Sequence, residues 1–61
     1  MNITTRPVFS KIENRTVYIA DGPDGHSDLL ARDTADAAQR AGEEYFTKTR
    51  ALVDGRWKIV A

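Results

Sequence analysis

The chain has 61 residues, 41% of them hydrophobic, with nine Lys plus Arg against nine Asp plus Glu and no cysteine. That length allows one small domain over residues 1–61, and such a chain buries only about 60% of the surface it exposes when unfolded, which disfavours a deep catalytic cleft beside a full core. The composition rules out simple disorder, a disulfide framework, a thiolate metal site and cysteine catalysis, and no apolar run approaches the roughly 18 residues of a membrane span.

Met1 to Arg6 do not read as a signal peptide, so the expected compartment is the cytosol. Pro7 to Ile12 reads as a short strand, Glu13-Asn14-Arg15 as a turn, and the β-branched run Thr16 to Ala20 as the strand that pairs back. A two-residue loop would place Val8, Ile12, Val17 and Ile19 on one face and Phe9 with Tyr18 on the other. The aliphatic set is the expected core face. Phe9 and Tyr18 would then lie away from the helix, as apolar surface that a second copy of the chain could cover.

Asp21-Gly22-Pro23-Asp24-Gly25 is the strongest turn signal in the chain. Leu29 to Ala31 follows as a third strand, and Asp33 stands where a helix N-cap belongs. From Thr34 the periodicity is helical: Ala35, Ala38, Ala41, Gly42, Tyr45, Phe46, Thr49, Leu52 and Val53 fall within an arc of about 140°. Asp36–Arg40 and Glu44–Lys48 stand at i,i+4 with the acid first, the better orientation for a helix pair.

Residues 47–53 admit two readings. The stripe favours a helix continuing to Val53, with Leu52 and Trp57 in the core. Asp54-Gly55 between Ala51-Leu52-Val53 and Arg56-Trp57-Lys58 also reads as a β-hairpin turn, and Thr47 and Thr49 are poor helix formers. In the favoured reading the fold is α+β, with order strand, strand, strand, helix, strand, and a single antiparallel-rich sheet packed on one helix.

Zero net charge hides an asymmetry. Residues 1–20 carry Arg6, Lys11 and Arg15 against Glu13 (net +2), and residues 21–36 carry Asp21, Asp24, Asp28, Asp33 and Asp36 against Arg32 (net −4). Residues 37–61 return to net +2. A phosphate-binding protein shows a basic excess, because counterion release supplies most of its affinity, so this balance argues against direct nucleic-acid binding.

Asp24-x-His26-x-Asp28 could in principle hold zinc or manganese, or let His26 act as a general base. A Gly-rich turn full of Asp is first a solvated turn, and Pro23 breaks the calcium-loop spacing. Gly22-x-x-Gly25 lacks the lysine and helix start of a phosphate cradle. Arg56-Trp57-Lys58 has an aromatic between cations, yet on a strand Trp57 points away from both. No enzyme activity, cofactor or metal is therefore expected. The acidic segment reads as turn and cap, and also as a negative edge that steers association with a basic protein surface.

The run from Pro23-Asp24-Gly25 to Asp33-Thr34, followed by Ala38, Ala41 and Asp54-Gly55, resembles the amino-terminal domain of HicB-like antitoxins. His26-Ser27-Asp28 departs from the Pro-Gly-Cys usual in that family's turn. Similar strand–helix–strand mini-domains occur among short phage inhibitors, including anti-CRISPR proteins and RNA polymerase inhibitors. The resemblance implies a non-enzymatic module that occludes a nucleic-acid-acting protein. The residues expected to bind that partner are Asp21, Asp24, His26 and Asp28, with Phe9 and Tyr18; a small nucleic-acid binder using Arg15, Lys11, Arg56 and Lys58 is the alternative.

Overall fold

Strand β1 (Thr4–Ser10) pairs antiparallel with β2 (Arg15–Asp21) in the computed structural model, which describes residues 2–60. The turn between them holds four residues, closed by Asn14 in the left-handed region at φ 55°, where Asn is tolerated. Ile12 therefore lies in the turn, almost fully exposed, and leaves the expected aliphatic face. The register Val8↔Val17 and Arg6↔Ile19 otherwise sorts the two faces as alternation requires. Strand β3 (Leu30–Arg32) joins the far side of β2 and completes the order β1-β2-β3.

The helix takes the opposite face from the one expected. Helix α1 (Ala35–Thr49) packs on Tyr18, Ala20 and Leu30, while Val17 is buried on the other side of the sheet. The reason is steric. Gly42 approaches Ala20 so closely that a Cβ on it would lie 2.8 Å from the Ala20 Cβ and 3.0 Å from Ile3 Cγ2. A helix stripe of Ala38 and Gly42 fits over alanine; the branched ridge of Val17 and Ile19 would hold it away. The buried cluster is Ile3, Ala20, Ala38 and Phe46, with Tyr18, Leu29, Leu30 and Trp57 packed around it. Tyr18 is thus a core neighbour rather than an outward aromatic, and Phe9 stays exposed at the end of β1.

Thr34, not Asp33, caps the helix: its Oγ1 accepts the Ala37 N–H at 3.1 Å. Asp33 turns instead to Arg15, at 2.7 Å. The helical pairs Asp36–Arg40 (3.2 Å) and Glu44–Lys48 (2.9 Å) are both formed. At Arg50 the backbone becomes extended and the helix stops. Its 15 residues span about 22 Å, close to the length of the seven-residue strands beneath it.

Beyond it, β4 (Arg50–Val53) and β5 (Arg56–Ile59) form a separate two-stranded sheet. Their turn has Asp54 at φ 52° and Gly55 at φ 78°, the double positive φ of a type I′ hairpin. The helix continues through Thr49 and the hairpin reading holds from Arg50, and the last strand does not join the main sheet. Leu52 is 59% exposed rather than in the core, whereas Trp57 is half-buried against Phe46.

Two substitutions probe this packing. Gly42→Ala gains helix propensity of about 1 kcal/mol yet forces a Cβ into Ala20, so the expected net result is a lower urea midpoint. A raised midpoint would show that the helix can lift without cost. Phe46→Ala should cost about 3–5 kcal/mol, comparable with the whole stability of so small a domain, and leave no cooperative thermal transition.

Candidate functional site

The turn after β2 is built to reach the hairpin. Gly22 N–H donates to the His26 carbonyl at 2.7 Å and His26 N–H to that of Pro23 at 3.2 Å. Asp24 and Gly25 both take positive φ, which tightens the loop. Gly22 lies flat on the core: a Cβ there would be 2.7 Å from the Phe46 ring. This close approach brings the side chains of Asp24 and His26 to β5.

Both act on the same residue. Asp24 Oδ2 accepts the Trp57 N–H at 2.9 Å, and His26 Nε2 lies 3.0 Å from the Trp57 carbonyl oxygen. His26 Nδ1 accepts from Arg50 Nε at 3.1 Å, so these partners assign the neutral tautomer with the proton on Nε2. The imidazole stands edge-on to Phe46 at 5.6 Å, and Trp57 meets the same ring at 4.9 Å. The Arg50 guanidinium lies 5.4 Å from the Tyr45 ring centre and 5.5 Å from that of Phe46.

Asp28 turns away from this group. It pairs with Arg6, which also donates from Nε to Asp21 Oδ2 at 2.9 Å. Asp21 Oδ1 accepts the Asp28 N–H at 2.9 Å. That backbone hydrogen bond, followed by Arg6, holds the Asp21 carboxyl below its ordinary range against the opposing effect of burial. Asp24, His26 and Asp28 therefore do not converge, and no group of three or more His, Asp or Glu side chains among the described residues could hold a metal.

The negative edge read from the sequence is largely neutralised from within. Arg6 meets Asp21 and Asp28, Arg15 meets Asp33, and Arg40 meets Asp36. Arg6 and Arg50 are the residues that sequence reasoning missed. The register carried a signal for the first: Thr4 opposite Asp21 puts Arg6 two positions along the neighbouring strand. Nothing local marked the bond from Arg50 to His26, which lies 24 residues back in the chain.

The turn and hairpin together form one surface. Arg50, Leu52, Trp57 and Ile59 share one hairpin face, and Ala51, Val53, Arg56 and Lys58 the other. Leu52, Val53, Ile59 and Val60 are all exposed, and Leu52 and Ile59 share the face of Trp57, the residue that the Asp24–His26 turn clasps. A separate shallow groove of about 270 Å³ runs between β3 and the helix, lined by Leu30, Arg32, Ala41, Glu44, Tyr45 and Lys48. No helix among the described residues is long and apolar enough to cross a membrane. The chain matches no family model, no curated protein and no solved structure.

Two outcomes follow for the turn. Asp24→Asn keeps an acceptor for Trp57 N–H and tolerates positive φ, so it should melt near wild type; Asp24→Ala loses both and should cost about 1–2 kcal/mol in urea titration. The depressed Asp21 carboxyl stabilises the fold above its unfolded value of about 3.9, and that contribution is lost as pH falls through the folded value. Asp21→Asn should accordingly be less stable at pH 7 and lose less of its stability between pH 5 and 2.

Proposed function

We propose that the protein is a non-enzymatic, cytosolic protein-binding module that occludes a nucleic-acid-acting partner. The observation that carries this reading is that exposed Leu52 and Ile59 share a hairpin face with Trp57, whose main chain the Asp24–His26 turn clasps. Aliphatic side chains have no affinity for phosphate, and the one tryptophan, which could have stacked a base, is turned onto Phe46. An apolar centre with a polar rim is the anatomy of a protein interface. Asp24, whose carboxylate sits on the Trp57 backbone without an ion-pair partner among the described residues, supplies a rim carboxylate for a basic partner surface, acting on association rate more than on final affinity. The similarity to HicB-like antitoxins and phage inhibitors in the Pro23-Asp24 and Asp33-Thr34 motifs supports the same class of partner.

The experiment is affinity capture from lysate of the source organism with wild type and Ile59→Glu, followed by assay of the captured protein on its nucleic acid. Wild type should capture a nucleic-acid-acting protein and inhibit it, while Ile59→Glu, altered at an exposed position, should fold normally and bind at least tenfold more weakly. Capture of nothing, or unchanged activity of the captured protein, would overturn the reading. A second reading rests on Lys11, Arg56 and Lys58, none of which has an ion-pair partner among the described residues. It requires sub-micromolar binding to a labelled single-stranded oligonucleotide with a steep loss on adding salt.

A further inference from the structure

We propose that β4 is a dimerisation edge, pairing antiparallel with β4 of a second copy about a twofold axis at Leu52. The backbone of the hairpin sets the direction. Both main-chain groups of Trp57 bond outside the hairpin, to Asp24 and His26, and Val60 N–H donates to the Thr49 carbonyl at 2.8 Å. Antiparallel ladders alternate bonded and non-bonded pairs, so Leu52↔Trp57 is a non-bonded pair. The Leu52 N–H and C=O therefore point away from β5, at an edge where no other strand lies among the described residues.

The other edges are guarded. Pro7 removes a donor from the middle of β1. Strand β3 has three residues, and the Arg32 guanidinium donates to the Ala31 carbonyl at 2.7 Å. The outer edge of β5 is filled at Trp57 by the turn. Only β4 presents outward main-chain groups beside an exposed leucine.

Parity and charge then select both the occupant and the register. Outward residues must face outward residues, which excludes an axis between residues; an axis at Ala51 would set Arg50 opposite Leu52 of the partner subunit and leave Asp54 without a cation, and one at Val53 would run into the turn. A twofold at Arg50 would set two arginines face to face. At Leu52, leucine meets leucine, Ala51 meets Val53 of the partner subunit, and Arg50 meets Asp54 of the partner subunit, twice by symmetry. Arg50 spends Nε and Nη1 within its own chain and retains Nη2 to donate. Asp54 forms no ion pair among the described residues. The result is a four-stranded sheet, β5-β4-β4-β5, from two hairpins that are each marginal alone. Four residues a side make a small interface, so half-association is expected on the order of 10–100 µM. The dimer uses the edge and shares Leu52 with the partner surface, so Ile59→Glu, off the axis, tests the partner reading separately from dimerisation.

Sedimentation velocity of the wild-type protein from 5 to 500 µM should show a monomer passing to a dimer. Leu52→Lys opposes two cations at the axis and should stay monomeric throughout, with an unchanged melting temperature because the position is exposed. Asp54→Asn keeps the turn and should weaken association several-fold at low salt. The chain has no cysteine, so single cysteines report cleanly. Bonded antiparallel pairs stand about 5.5 Å apart at Cα, within disulfide reach. Under mild oxidation at 100 µM, Leu52→Cys should cross-link at least tenfold faster than Lys11→Cys in the remote turn. A wild-type protein monomeric at 500 µM, a Leu52→Lys protein that dimerises like wild type, or equal cross-linking of the two cysteine variants would each overturn the proposal.

Discussion

Phe46 is the contact on which the arrangement depends. It is the one large side chain fully buried among the described residues, and two separate pieces of chain, the turn and the hairpin, close on its ring. Gly22 lies beneath it because no Cβ fits there, His26 meets it edge-on, and Trp57 meets it from the hairpin. A domain this small cannot assemble many such rings, so one ring must organise the turn, the helix end and the hairpin together. Once the turn is drawn onto Phe46, Asp24 and His26 reach the Trp57 backbone, and its N–H and carbonyl are satisfied by side chains where a strand would otherwise be needed.

Charge follows the same crossing of distant segments. The basic first strand folds against the acidic turn, and Arg6 and Arg15 neutralise most of the carboxylates that look like a free patch in the linear sequence. These pairs are largely exposed and add little to stability individually. Their consequence is for recognition, since the cations Arg56 and Lys58, without ion-pair partners among the described residues, stay on one hairpin face with Val53, and exposed Leu52 and Ile59 lie on the other. The proposed occlusion of a partner thus rests more on exposed apolar side chains than on net negative charge.

The hairpin is where fold and function meet. A two-stranded ribbon is marginal in water, and this one is held at its base by Trp57 and along one edge by the turn. What holds it leaves one face and one edge unspent. Those two surfaces can serve different partners at once, because a strand added in the plane of the sheet does not cover the side chains above it.

The sequence alone determined the local features. Alternation in β2, the stripe through Ala38, Gly42 and Phe46, both helical ion pairs, and the Asp24-Gly25 and Asp54-Gly55 turns are encoded within a few residues, where dihedral preference and period decide. The α+β architecture with one helix on an antiparallel sheet follows from them. Which face the helix covers does not, because Ala20 and Gly42 must meet before their small size matters, and period alone favoured the bulkier Val17 and Ile19. The end of the helix was also undecided locally, since Leu52 and Val53 suit a helical stripe as well as a strand. The partners of Asp21, Asp24, His26 and Asp33 were beyond reach for the same reason. A short polar side chain is locally a turn former or a cap, and it becomes a clasp or an ion pair only when folding brings a Trp57 backbone or an Arg6 within about 3 Å.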